Sequence, residues 1–537
     1  MCTHCMNRRE FHAMAGVGLA GGALGVGAAW AGQEAGKNSA SEGASSSSGK
    51  VSEVVWDPDR PPVCTGRSLR VQPVLAYTVF ERREKTSWRS WSDLISDSAA
   101  AEELRRIGEE LKQLQAKADF PLEILPPVKV KTVEEAAQVQ KGQFEVILLY
   151  AATGAGLFRA CCAANPKRDT IVFVRHKSGP TYYGYECLGI RFFPPSSPEL
   201  CQRNTADNHG GVTLDDVVVD DYEEVLWRLR ALYGLVNFIG QRIVALGGAG
   251  GKYDPAAPQV ARQRYQLQII EVSYQQLADR LKQLLADPKA QARYKAWTER
   301  YLAIPQTRLE TQREFIERAF ALYEVFRQWL AEHQAPAITI NACMGTILGV
   351  SNTTACMPLS WLNDEGYLAF CESDFVAIPP GILLHYISGK PVFLHNSTFP
   401  HKAMVTCAHC TAPRRMDGRR YEPVRVMTHY ESDFGAAPKV EMPIGQLVCA
   451  ISPEYTKPRW VGIRGVVRDN PNFSICRSQQ DVEIQGQWHR LIPEARDSHW
   501  LMVYGDYLRE IGYAVRKIGI QWDNTAQPET CISVSLA

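Results

Sequence analysis

The sequence predicts an α/β protein that ends in a mainly antiparallel β region, and three observations carry that reading. Short apolar runs alternate with amphipathic helical stretches from residue 71 to residue 371, as in doubly wound parallel sheets. The alternation restarts near Gly211, which divides it into two open α/β domains. After Tyr421 short runs at 424–429, 446–451, 461–467 and 482–484 alternate with turn residues, as antiparallel strands do. A chain of 537 residues exceeds one core, since domains run to roughly 100–200 residues. The expected division is 51–205 for the N-terminal α/β domain, 206–388 for the second and 389–537 for the β-rich domain.

Taken in order, residues 1–31 read as an address. Asn7, Arg8, Arg9, Glu10 and Phe11 form a twin-arginine motif, a mildly apolar run follows at 14–26, and Ala29, Trp30 and Ala31 form a small-x-small cleavage site. The expectation is export by the twin-arginine pathway to a periplasmic or other extracytoplasmic space, with no membrane association beyond the signal. That route carries folded proteins, so a metal inserted beforehand travels with its protein. Residues 32–50, rich in Ser, Gly and Ala, hold too little apolar surface to fold and read as a flexible linker.

Strands are expected at 71–79, 144–150 and 170–174, with a helix at 99–118. The TGAG that follows the second strand is a chain reversal or a phosphate-binding turn. A helix at 222–235 and a strand at 242–246 lead into GGAGG, whose glycines lack the GxGxxG spacing of a dinucleotide site. It reads as a substrate-facing loop or a tight turn. Helices are expected at 266–285 and 309–333, then a strand at 338–340. The chain closes with an apolar strand from His499, a Gly-Asp turn and an amphipathic helix at 507–519.

Composition narrows the partners. A hydrophobic fraction of 45% and a charged fraction of 22% are ordinary for a globular protein. A net charge of +1 gives no electrostatic basis for nucleic acid or an acidic membrane surface as partner. Fifteen cysteines, odd in number and irregularly spaced, do not describe a small disulfide scaffold. Cys161 with Cys162, and the CxxC of Cys407 and Cys410, read as buried free thiols. Zinc at that CxxC lacks two further ligands at suitable spacing, with only His409 near.

Residues 341–413 concentrate the chemistry. A strand at 368–371 ends at Glu372 and Asp374, two residues apart and so on one side of an extended backbone. Acids at such a strand end stand where α/β sheets place their sites. A run at 391–394 delivers His395 and Asn396, and one at 403–408 delivers His409. Three strand ends therefore offer oxygen and nitrogen ligands.

The segments CESD, PVFLHN, AHCTAP and HWLMVYGDY resemble, in order and spacing, the L-fucose isomerase and L-arabinose isomerase superfamily, above all its fucose-isomerase-like members. The resemblance covers most of the chain after the linker and is clearest from Arg242 onward. It implies two open α/β domains followed by a β-barrel-like domain, a divalent ion that is usually manganese, and interconversion of aldoses with ketoses. It also implies homo-oligomers whose active sites lie between domains, often closed by a neighbouring subunit.

Carried over by position, Glu372 matches the family's metal-binding glutamate that also acts as acid and base. His499 resembles the histidine ligand near the chain's end. Asn396 falls where the family has an aspartate that binds metal and moves protons. An amide lends an oxygen to a metal but is no base at neutral pH. Asp374 or another neighbour then takes the second proton-transfer role, or the protein no longer isomerises. The resemblance thus implies Glu372, Asn396 and His499 as metal ligands and Glu372 with Asp374 as catalytic groups. His409 reads as lining the site, and His429 and Glu431 as contacts for sugar hydroxyls or members of an exposed turn. The expected function is metal-dependent isomerisation of an unphosphorylated sugar through a cis-enediol. Such a reaction needs a base for the proton on C2, an acid for the hydroxyl proton and a cation on O1 and O2. The alternative is an exported, non-catalytic carbohydrate-binding protein on the same fold.

Overall fold

The computed structural model describes residues 54–153, 155–162, 165–183, 205–455, 457–494 and 498–526. The predicted signal and linker lie outside them, as does Gly154 of the TGAG turn. Strands β1 (Leu69–Tyr77), β2 (Leu122–Ile124), β3 (Val128–Val130), β4 (Val146–Ala152), β5 (Asp169–Val174) and β6 (Val217–Val219) form one sheet. Its order is β2-β1-β4-β5-β6, with β3 also on β1, and every pairing is parallel. β4 and β5 are buried at every position, which is why they read as continuous apolar runs. Ser96 caps the following helix, Asp97–Lys117, by accepting from the Ala99 N–H. The last strand, β6, carries this sheet past residue 205.

A second parallel sheet holds β7 (Arg242–Leu246), β8 (Gln268–Val272), β10 (Ala337–Ile340) and β11 (Leu368–Cys371), in the order β11-β10-β7-β8. Here the expected helix at 266–285 is corrected: its first part is β8, and Ser273 with Gln276 forms a capping box that starts the helix Tyr274–Ala286. β8 is an edge strand with exposed residues, so it lacks the apolar run that marks its neighbours. Between them, β9 (Thr307–Leu309) leaves this sheet and pairs with β14 (Val424–His429), which also pairs with β15 (Phe434–Val440).

The remaining strands close on themselves. β12 (Phe393–Ser397), β13 (Met404–His409), β16 (Leu447–Pro453), β17 (Arg459–Asp469), β18 (Ser478–Gln485) and β19 (His499–Tyr504) form an antiparallel barrel, β16-β19-β12-β13-β18-β17 and back to β16. Alternate residues of the wall enter different cores. Phe393, Cys407, Trp500 and Met502 pack in one, whereas Leu394, Ile451, Leu501 and Val503 pack in the other, as the period of two requires. Among the described residues, no helix is long and apolar enough to cross a membrane.

The helix Ile378–Ser388 follows the end of β11 and packs between the second sheet and the barrel. At Gly381 a Cβ would stand 2.7 Å from Phe370 Cε1 of β11 and 3.1 Å from Leu501 Cδ1 of β19. This glycine therefore sets how closely the barrel approaches the strand that ends at Glu372. We predict that Gly381→Val overpacks the contact and lowers stability by about 1–3 kcal/mol in urea unfolding. An unchanged midpoint would contradict that close approach.

A candidate metal centre at three strand ends

β11 ends at Cys371, and the chain turns at once through Glu372 and Ser373, at φ 64° and 44°. The expected extended backbone, with both acids on one side, is thus corrected. A left-handed turn sends Glu372 and Asp374 into different surroundings. Such backbone costs roughly 1–2 kcal/mol per non-glycine residue, so it needs support. Gly250 supplies it: its N–H donates to the Ser373 carbonyl at 3.1 Å, and its own carbonyl accepts from the Phe375 N–H at 3.0 Å. The glycine loop after β7 is therefore a strap on the acidic turn. Gly247 and Gly248 reach it through φ of 75° and 95°, which side-chain-bearing residues rarely adopt.

The strap also delivers Lys252. Glu372 has a side chain 41% exposed, with Oε1 3.4 Å from His409 Nε2 and Oε2 3.4 Å from His499 Nε2. Lys252 Nζ lies 3.6 Å from Glu372 Oε2 and 3.1 Å from His499 Nε2. Ligand atoms of Glu372, His409 and His499 all fall within 4.8 Å of one another. One carboxylate oxygen and two imidazole nitrogens thus converge.

Each imidazole is held from behind. His499 is wholly buried, and its Nδ1 lies 2.7 Å from Asp374 Oδ2. The other Asp374 oxygen accepts from the backbone N–H groups of Lys252 and Val376, at 3.1 and 3.2 Å. A carboxylate placed so fixes the ring with Nδ1–H toward Asp374 and Nε2 toward Glu372, the arrangement that metal-binding histidines use. Asp374 is itself wholly buried, so it positions His499 and presents no free face for a substrate. His409 has Nδ1 3.1 Å from Thr411 Oγ1, while its buried Nε2 makes no well-formed hydrogen bond and has only the 3.4 Å approach of Glu372 Oε1. An unmatched buried nitrogen costs about 1–3 kcal/mol, which an ion would relieve.

Electrostatics follow from these contacts. Burial raises the Glu372 carboxyl, but the neighbouring His409 and His499 outweigh it and hold the group well below the usual range. Burial lowers His409 against the pull of Glu372. At His499 burial is overcome by Asp374 and Glu372, which push it up to about 9. His429, the last residue of β14, is buried with Nδ1 unmatched; burial, with His409 and Arg477 adding, brings it down to about 4. His395 is buried beside Phe393 and Trp500, and burial takes it to about 3.

The structure therefore links His409, Glu372, His499 and Asp374 in one chain of contacts. Asn396 pairs with His499 across one ladder and with Ala408 across the other, so its backbone lies between the two imidazole-bearing strands. Glu431 stands exposed on the turn after β14. Cys407 and Cys410 are buried in separate clusters. Lys252 is the group that sequence reasoning missed. Its signal was the glycine loop at the carboxyl end of parallel strand β7, one strand removed from the one that ends at Glu372. Compared with known proteins, the chain matches no family model and no curated relative.

In ion-free protein the charge of protonated His499 faces two carboxylates, Asp374 at Nδ1 and Glu372 at Nε2. The His499 pKa of about 9 exceeds the ordinary 6.5, so the stabilisation is complete below about pH 6.5 and lost as pH rises through about 9. We predict that, in chelator, the melting-temperature gap between wild type and Asp374→Asn narrows steadily across that interval. A gap independent of pH would contradict the assigned pairing.

Proposed function

We propose that this chain is a metal-dependent aldose-ketose isomerase of the fucose/arabinose-isomerase type, acting on an unphosphorylated sugar through a cis-enediol. The observation that carries the reading is the convergence of Glu372, His409 and His499, with Asp374 behind His499. Export by the twin-arginine route, a homo-oligomeric state and manganese belong to the same reading. So does a doubly wound arrangement of both α/β parts. Its support is strand order: β1 and β7 are interior strands, each with β2 or β8 on one side and later strands on the other.

An oxygen and two imidazole nitrogens suit a borderline divalent ion such as manganese. Glu372, His409 and His499 would hold it, with the Asn396 amide oxygen as a further donor from the adjacent strand. When bound, such an ion supplies stabilisation of negative charge on the sugar's O1 and O2. The remaining work falls to the chain. Glu372, ionised and part-exposed, removes the proton on C2 and returns it to C1. Asp374 keeps the His499 ring in one tautomer. Lys252 is the nearest cationic donor to the sugar oxygens: it hydrogen-bonds them as charge develops, gives a proton to O1 and takes one back from O2, which balances the transfer from C2 to C1. His429, held neutral, offers a hydrogen bond to a sugar hydroxyl.

A second reading, carbohydrate binding without catalysis, is favoured by Asn396 and by the engagement of both Asp374 oxygens. Proton transfer separates the two. Manganese-loaded protein is incubated in deuterated water with a panel of free aldoses and ketoses, and sugar mass is followed. We predict incorporation for at least one sugar, and a loss on the order of 10²-fold or more in Glu372→Gln. Absence of incorporation across the panel, with manganese bound, leaves the binding reading.

A further inference from the structure

We infer that a second sugar subsite adjoins the candidate centre, so that the ligand is a neutral reducing disaccharide or longer glycan rather than a lone monosaccharide. The inference rests on the proposed sugar chemistry. A cavity of about 310 Å³ opens at the barrel rim. Three of its lining residues are chain neighbours of the site: Tyr253 follows Lys252, Ser397 follows Asn396, and Ser498 precedes His499. Neighbouring side chains of a strand face opposite ways, so the cavity flanks the centre rather than sharing its walls, and the Tyr253–Ser498 contact at 3.0 Å stands next to the Lys252–His499 contact at 3.1 Å.

Its walls have the chemistry of a pyranose. Tyr253, Phe399 and Tyr455 supply aromatic surface over a buried Trp500, and Ser397 and Ser498 supply hydroxyls. Tyr253 and Tyr455 have ring centroids 5.6 Å apart, and the Tyr253 hydroxyl is held 3.0 Å from Ser498 Oγ. A sugar ring offers apolar C–H faces to such rings and hydroxyl edges to such oxygens. Phe399 is 69% exposed, a large apolar surface left to water unless something covers it.

Charge bears on the ligand class. Among the described residues, none lining the cavity is Asp, Glu, Lys, Arg or His. A phosphate, sulfate or uronate there would lose its hydration with no opposite charge in return. The described walls therefore suit an uncharged occupant. Size and reactivity agree. Small-molecule pockets run from about 300 to 1,000 Å³, so this one accepts roughly a single ring. Isomerisation needs C1 and C2 free, so a second ring is joined through an oxygen farther along the reacting sugar.

The test is calorimetric titration of the manganese-loaded protein with cellobiose, lactose and maltose, each against glucose, in wild type, Phe399→Ser and Tyr455→Ala. At least one disaccharide is expected to bind about tenfold tighter than glucose, a difference of about 1.4 kcal/mol. Both substitutions should erase most of that gain and leave glucose unchanged. Equal binding of glucose and all three disaccharides, or variants without effect, overturns the subsite. So does a fall in oligomer size by sedimentation in Phe399→Ser without any sugar effect, which makes the cavity a face between copies. Disaccharide binding without deuterium exchange removes the isomerase reading and keeps the subsite. Exchange on monosaccharides alone removes the subsite and keeps the isomerase.

Discussion

Asp374 and His499 meet at 2.7 Å, one from the turn closing a parallel strand and the other from the first residue of a barrel strand, both wholly buried. Everything at the site depends on that contact. It joins the second sheet to the barrel through a charge-assisted bond where water is excluded. It also leaves Nε2 of His499 as the atom aimed at Glu372. Losing either partner would strand a buried polar group, which is costly.

The surrounding elements read as the means of holding this contact. The glycine loop after β7 stabilises the left-handed turn from one side, through Gly250 and the Lys252 N–H. Gly381 lets β11 and β19 approach from the other. The same loop brings an ammonium to 3.1 Å from His499 Nε2, within the space a divalent ion would share. Lys252 and such an ion compete for the same negative potential, so ion entry requires that ammonium to move. The neutral imidazoles of His395 and His429 add donors and acceptors without adding charge.

Much of this was legible in the chain. The runs at 242–246, 368–371 and 424–429 are strands with the expected limits, because buried parallel strands and alternating strands have strong periodic patterns. β8 was hidden, since half-exposed edge residues lack an apolar run and Ile269, Ile270 and Val272 fit a helical spacing as well. The side chains at the strand ends were visible, but their roles were not. Whether Glu372 and Asp374 share a face depends on φ at Glu372 and Ser373, which Gly250 supports from a distant part of the chain, as does the Lys252 N–H that reaches Asp374 across 122 positions. Lys252, the unmatched Nε2 of His409 and the aromatic cavity likewise arise from segments that only the fold assembles.

The central claim is that Glu372, His409 and His499 share one cation. Diffraction from manganese-soaked crystals, recorded on both sides of the manganese absorption edge, tests it most directly. The account predicts an anomalous peak in contact with the Glu372 carboxylate and both Nε2 atoms, with Lys252 moved away from His499. A peak elsewhere, or none with the ammonium still at His499, would contradict it.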